Sequence, residues 1–111
     1  MRLALIGGGR QGRLLLHGFL GQDIIVKGVC DCDAARREHC AKDIDDYYLS
    51  RGVSVPKAIR WSDFRDVISD PNVDIVCIAT PDHWHAYITI EAMKAGKDVA
   101  TEVGGAYALE D

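Results

Sequence analysis

Three glycines near the start of the chain have the spacing of a phosphate-binding turn. Gly7, Gly9 and Gly12 fit the pattern G-x-G-x-x-G, which follows an apolar run at residues 3–6 and precedes a helix-like pattern at residues 10–20. In such a turn the first glycine permits the tight bend, the second lets backbone approach a pyrophosphate, and the third lets helix and strand pack closely. The unpaired N–H groups of the helix start attract the anion. The spacing predicts a dinucleotide-binding turn, and a strand–turn–helix without a ligand is the alternative.

An acidic residue stands where the same motif requires one. Asp31 directly follows the strand-like run IIVKGVC and lies nineteen residues after Gly12. Its carboxylate would accept hydrogen bonds from the adenosine ribose hydroxyls and repel a 2′-phosphate, so we expect NAD rather than NADP. Asp33 is the competing candidate, but it lies past the strand end, and we expect it to cap the next helix.

A second polar stretch, TPDHWH at residues 80–85, follows VDIVCIA, the most hydrophobic segment of the chain. Ligands of doubly wound sheets bind outside the carboxyl ends of strands, where the strand order reverses. A neutral His85 in the first turn of the following helix would hydrogen-bond a cofactor amide or a sugar hydroxyl. Packing is the alternative role for Trp84. His83 and His85 have no acidic or cysteine partner at a suitable spacing, so no metal site is expected.

Short apolar strands alternate with helices along the whole chain. Strands are predicted at residues 3–6, 24–30, 57–61, 73–79 and 98–103, and helices at residues 10–20, 33–50, 62–69 and 86–95. This alternation requires a parallel sheet with helices on both faces, because each crossover is right-handed. The predicted fold class is therefore α/β, a doubly wound parallel sheet (Rossmann fold) with five strands.

Composition limits the kind of protein and its partners. The chain has 111 residues, enough for one domain, and its 48% hydrophobic content with a net charge of −4 indicates an ordinary globular protein. The sequence contains no run of lysines or arginines of the kind that would indicate nucleic-acid or membrane binding. The four cysteines have no zinc or redox spacing, and free thiols suit a reducing compartment. The first apolar run is too short for a signal peptide or a membrane span, so we expect a cytoplasmic protein.

Several segments together resemble one protein family. GGGRQGR, VCDCDAARRE, VDIVCIATPDHWHAYITIEAMKAGKDVATE and ALED are similar to the N-terminal domain of the glucose-fructose oxidoreductase/inositol dehydrogenase/rhizopine catabolism (Gfo/Idh/MocA) family. Members use NAD(P) to oxidise or reduce a hydroxyl of a sugar, inositol or similar polyol. The resemblance implies cofactor-binding roles for Gly7, Gly9, Arg10, Gln11, Gly12, Asp31, Thr80, Pro81, Asp82, His83, Trp84, His85, Glu102 and Val103.

The end of the fifth predicted strand departs from the family pattern. Dehydrogenases of the family usually have Glu-Lys-Pro there, and the lysine assists proton transfer, whereas this chain has Glu102, Val103 and Gly104. Valine has no proton to exchange and cannot be a general acid or base. Glu-Val followed by small residues resembles another branch, the NAD-requiring, α-N-acetylgalactosaminidase-like glycosidases, whose reaction has no net redox change. Catalytic residues are therefore not assigned within this chain.

The resemblance also implies a longer parent protein. Residues 1–111 are expected to form only the dinucleotide-binding domain, with the C-terminal substrate domain absent and ALED at residues 108–111 beginning the next helix. The leading hypothesis for the parent is an NAD-dependent oxidoreductase acting on a carbohydrate-like substrate. An NAD-recycling glycosidase and a non-catalytic NAD-binding regulator are the alternatives. The resemblance allows a homo-oligomeric parent, and the fragment alone is expected to be inactive.

Overall fold

One six-stranded sheet organises the chain. The computed structural model describes residues 1–7, 24–79, 82–103 and 106–110. Its elements are β1 (Arg2–Ile6), β2 (Ile25–Cys30), α1 (Ala34–Ser50), β3 (Ile59–Trp61), α2 (Phe64–Ile68), β4 (Ile75–Ile78), α3 (Asp82–Lys94), β5 (Asp98–Val103) and β6 (Ala106–Glu110). The strand order is β3-β2-β1-β4-β5-β6. The helix predicted at residues 10–20 lies outside the described residues.

The first five strands run parallel, as the alternating pattern predicts. The prediction of five strands is corrected by a sixth strand, β6, which pairs with β5 in the antiparallel direction. In this pairing Val103 lies opposite Ala106. The prediction that a helix begins at residues 108–111 is wrong, since Ala108 to Glu110 belong to β6. Gly-Gly between two strand-forming runs is a sequence signal for a two-residue hairpin connection, and that local signal outweighed the helical propensity of ALED.

Both faces of the sheet are covered by helices. Leu3 and Leu5 pack with Ile44 of α1 on one face, whereas Ala4 and Ile6 belong to a second buried cluster with α2 and α3 on the other. This separation follows from the two-residue period of a strand, which sends successive side chains to opposite faces. All four residues of β4 are buried, as expected for a central strand. The doubly wound fold is thus confirmed.

The helices begin close to the predicted positions, with one exception. Asp33 caps α1, and its side chain accepts a hydrogen bond from Arg36 N. Asp63 likewise caps α2 through Arg65 N. By contrast, α3 begins at Asp82, four residues before the predicted start at residue 86. A first helical turn needs no apolar residue and favours an acidic one, so the polar run at residues 82–85 does not break the helix.

Strand β2 fits tightly between its neighbours. A Cβ atom on Gly28 would overlap the carbonyl oxygen of Ile59 and lie 2.8 Å from Ile59 N. Two residues earlier, the backbone N of Val26 donates to the hydroxyl of Tyr48 on α1, at 2.8 Å. The register between β1 and β2 shifts at this point, between Leu3 and Ala4. The close approach of β3 therefore requires glycine at position 28.

None of the helices in the described part of the chain is both long and apolar enough to cross a lipid bilayer.

Candidate dinucleotide-binding site

The carboxyl ends of four strands are joined at one edge of the sheet by backbone hydrogen bonds. Gly7 N, just after β1, donates to Cys30 O at the end of β2, at 2.8 Å. Asp31 N donates to Trp61 O at the end of β3, at 3.1 Å. On the other side of β1, Ala79 N donates to Ile6 O at 2.8 Å. The strand order reverses between β1 and β4, so this edge contains the crevice in which doubly wound folds bind ligands.

Gly7 makes the turn that leaves β1. Its φ is 102°, in a region that only glycine adopts without strain. The first glycine of the predicted motif therefore has the conformation that a tight phosphate-binding turn requires. The other predicted pyrophosphate contacts, Gly9, Arg10 and Gln11, lie outside the described residues, and so does Gly12, which is predicted to let helix and strand pack closely.

Asp31 lies directly beyond β2, next to the turn at Gly7. Its Oδ1 accepts a hydrogen bond from Asp33 N at 2.8 Å, which orients the carboxylate. Its carbonyl oxygen accepts from Nη1 of Arg37 on α1, also at 2.8 Å. The side chain is neither fully buried nor fully exposed. A carboxylate held in this way, one strand over from a glycine turn, is where a dinucleotide fold places its ribose acceptor.

The neighbouring acid, Asp33, has a structural role, as predicted. Its Oδ1 accepts from Arg36 N at 3.1 Å at the start of α1. This backbone hydrogen bond holds the pKa of Asp33 below its usual value. Asp33 is therefore the cap of α1, as its position past the strand end predicts.

The polar stretch after β4 lies at the same edge of the sheet. The backbone of residues 82–85 forms the first turn of α3, which places His85 in the first turn as predicted. That first turn holds the predicted site residues Asp82, His83, Trp84 and His85. Thr80 and Pro81 lie outside the described residues. Because β4 is adjacent to β1, this helix begins on the far side of the crevice from Asp31.

Glu102 and Val103 lie at the carboxyl end of β5, beside β4. Lys97 precedes the same strand and is bound at the opposite edge, where its Nζ donates to the carbonyl oxygens of Asp70 and Val73, each at 2.6 Å. The lysine nearest in sequence is thus held away from the candidate site. The side chain of Val103 has no group that could replace a lysine in proton transfer.

Two buried thiols lie in the central strands. Burial raises the pKa of Cys30 to about 12, and it does the same for Cys77. Burial thus favours the protonated thiol, which is a weaker nucleophile than the thiolate. Within residues 1–7, 24–79, 82–103 and 106–110, no group of three or more His, Cys, Asp or Glu side chains is arranged to hold a metal ion.

Residues 1–103 match the model of the Gfo/Idh/MocA oxidoreductase family, described as an NAD-binding Rossmann fold. The chain belongs to this family. Among its curated relatives, glycosyl hydrolase family 109 protein 2 of Shewanella sp. strain ANA-3 is 33% identical over 118 residues, covering 100% of this chain and 24% of the relative. A glycosyl hydrolase family 109 protein of Solibacter usitatus is 29% identical over 117 residues and is covered to 26% of its length. The chain thus spans about a quarter of these relatives.

Solved structures confirm the fold. A myo-inositol 2-dehydrogenase from Lactobacillus plantarum is 28% identical, with a TM-score of 0.71, covering 91% of this chain and 27% of that one. The myo-inositol dehydrogenase from Lactobacillus casei, solved with NAD(H) and myo-inositol, has a TM-score of 0.78 at 21% identity, covering 96% of this chain and 29% of that one. The second likeness bears on the fold alone.

Two features of the site region are not predicted by any sequence motif. Gly28 has no turn signal around it, because its requirement comes from the approach of β3 and not from its own backbone. Arg37 is a helical arginine among several charged residues, and only the structure brings it to the carbonyl of Asp31.

Proposed function

We propose that this chain binds NAD with its adenosine ribose on the Asp31 carboxylate and its pyrophosphate against the turn that begins at Gly7. One observation carries the proposal: Asp31 directly follows β2, and the preceding residue, Cys30, accepts the hydrogen bond of Gly7 N. The positive φ of Gly7 and the carboxylate beside it fit the two ends of an adenosine diphosphate group. Membership of a family with an NAD-binding Rossmann fold supports the same assignment.

NAD rather than NADP is the proposed cofactor. Asp31 would accept hydrogen bonds from the ribose hydroxyls, whereas a 2′-phosphate at the same place would meet its negative charge. Titration calorimetry of this chain with each cofactor tests the preference. We expect NAD to bind more tightly, and equal or tighter binding of NADP would contradict it.

The remaining predicted contacts extend the proposal toward the nicotinamide end. The first turn of α3 and the end of β5 lie on the far side of the crevice from β2. We assign residues 80–85 to the path between adenosine and nicotinamide, and Glu102 with Val103 to the nicotinamide end. Metal ions have no part in this proposal.

The chain is proposed to be the cofactor domain of a longer, two-domain enzyme. This rests on the lengths of the relatives, of which the chain covers 24–26%. The proposed substrate is a sugar or polyol, in keeping with the inositol dehydrogenases among the similar structures. Cytoplasmic location and self-association of the full-length protein stay predictions from the sequence.

The proposed reaction is an oxidation or reduction at a carbohydrate hydroxyl. Bound NAD would supply hydride transfer, and this domain would bind and orient the cofactor. Since Val103 cannot exchange a proton, a group other than this side chain must donate or accept it.

A second candidate, an NAD-using glycosidase, is favoured by a specific observation. The curated relatives at 27–33% identity carry the name glycosyl hydrolase family 109, and Val103 is compatible with a reaction that differs from simple dehydrogenation. An assay of the full-length protein separates the two. NADH that accumulates with a free sugar supports the dehydrogenase, whereas release of an aryl group from an aryl glycoside without net NADH supports the glycosidase. Absence of both signals with NAD bound would contradict both and support a regulator.

A further inference from the structure

Arg37 has a structural position that its sequence context does not suggest. We propose that Arg37 is a positioning residue, which orients the Asp31 carboxylate for the adenosine ribose and does not itself contact the cofactor. The proposal rests on the proposed function, because it takes Asp31 as the ribose acceptor. It adds a determinant of cofactor recognition outside the glycine turn and the acid.

The contact follows from the geometry of the helix start. Arg37 lies in the first turn of α1, and its backbone N donates to Asp33 O at 3.0 Å. Helical side chains tilt toward the amino end of their helix, so the guanidinium is carried back over the loop that leaves β2. There Nη1 lies 2.8 Å from the carbonyl oxygen of Asp31, in a partly buried hydrogen bond.

Hydrogen bonds hold Asp31 at its backbone N–H, its carboxylate and its carbonyl. Its N–H donates to Trp61 O at 3.1 Å, its Oδ1 accepts from Asp33 N at 2.8 Å, and its carbonyl accepts from Arg37. The first bond fixes the peptide plane before Asp31, and the Arg37 bond fixes the plane after it. Because Asp33 N lies two residues further along, a rotation of the second plane also moves the donor that orients the carboxylate. We therefore expect loss of Arg37 to loosen the orientation of the carboxylate.

The same contact determines what Arg37 does not do. Its Nη1 already donates to the carbonyl oxygen of Asp31, so in this proposal the guanidinium acts on the protein and not on a 2′-phosphate. Arg36, its neighbour, has an exposed side chain and the same charge. The pair thus offers a matched test, since both arginines add the same long-range attraction to an anionic ligand and only Arg37 contacts Asp31.

The experiment compares NAD with an analogue that lacks the 2′-hydroxyl of the adenosine ribose, by titration calorimetry on the full 111-residue chain. For the wild type we expect NAD to bind about tenfold more tightly than the analogue, the usual effect of one charge-assisted hydrogen bond. Arg37→Ala should reduce this ratio to about twofold or less, because NAD loses affinity and the analogue does not. Arg37→Lys should restore part of the ratio, and Arg36→Ala should leave it at the wild-type value.

Four results would overturn the inference. If Arg37→Ala lowered the affinities for NAD and for the analogue equally, the effect of Arg37 would be a general one on the fold. The same equal loss of affinity in a folded Arg37→Lys variant would confirm that conclusion. A greater loss for NADP than for NAD would place Arg37 at the phosphate. A wild-type ratio of one would remove the ribose assignment of Asp31, which overturns the proposed function as well. A normal wild-type ratio with no change in Arg37→Ala overturns the inference alone.

Discussion

The two edges of the sheet are built in different ways. At the amino edge, side chains bind each other and the backbone across strands: Arg2 donates to both carboxylate oxygens of Asp74, at 3.1 and 3.2 Å, and Lys97 donates to two carbonyls. At the carboxyl edge, the strands are joined by backbone bonds at Gly7, Asp31 and Ala79. Backbone bonds join the strands at the amino edge as well, from Ile25 N to Met1 O, Asp74 N to Arg2 O and Asp98 N to Asp74 O. The difference therefore lies in the charged side chains, which bind across strands at the amino edge, whereas the Asp31 carboxylate at the carboxyl edge is oriented by its own loop. We infer that the amino edge serves stability and the carboxyl edge serves binding.

The largest expected difference between the edges concerns two glycines. Gly7 and Gly96 both have positive φ, 102° and 81°, and they lie at the carboxyl and amino edges respectively. Alanine at either position should lower the free energy of unfolding by about 1–3 kcal/mol through backbone strain. Only Gly7→Ala should also abolish NAD binding, because only that turn is proposed to receive the pyrophosphate. Thermal unfolding and calorimetry of both variants measure the two effects, and loss of binding in both would remove the distinction between the edges.

The next effect concerns the lysine of the amino edge. Lys97→Ala removes the donor shared by the carbonyls of Asp70 and Val73, and it should destabilise the chain by about 1–2 kcal/mol. NAD affinity should not change. Lys94→Ala is the control, because Lys94 is exposed and its 3.8 Å contact with Glu91 is worth less than about 0.5 kcal/mol. Chemical denaturation of the two variants measures the difference, and equal stabilities would contradict a structural role for Lys97.

The smallest effect is a pH dependence at the amino edge. Hydrogen bonds from the side chain and backbone of Arg2 lower the pKa of Asp74 to about 2, from the model-compound value of 3.8. Because the folded-state pKa is the lower one, this stabilisation is complete above the unfolded pKa and is lost as pH falls toward 2. The Tm difference between wild type and Asp74→Asn should therefore shrink as pH falls from 5 to 2. A difference that stays constant or grows would contradict the ion pair.

Much of the fold can be predicted from the sequence, because each element has a local signal. Short apolar strands alternate with helices, and Asp33 occupies the cap position predicted for it. The errors fall where local signals conflict. The polar run at residues 82–85 interrupts the apolar pattern without interrupting the helix, and the ALED segment has a helical composition but pairs with β5.

The site is predictable only where its chemistry follows from one short motif. Gly7 and Asp31 meet at one edge because both directly follow adjacent parallel strands, a placement that the strand pattern already implies. The contribution of Arg37 depends on the direction of a side chain across a loop. The requirement for glycine at position 28 depends on a neighbouring backbone. Neither feature has a periodicity or a spacing that a sequence reveals.

The ribose assignment of Asp31 is tested most directly by a comparison with Asp74, since the two aspartates lie at opposite edges of the same sheet. NAD titrations of Asp31→Ala and Asp74→Ala should give a loss of about 1–3 kcal/mol in binding free energy for the first variant, because the ribose hydroxyls lose their acceptor. The second variant should bind NAD as the wild type does while unfolding at a lower temperature. Unchanged NAD affinity in a folded Asp31→Ala protein would contradict the account.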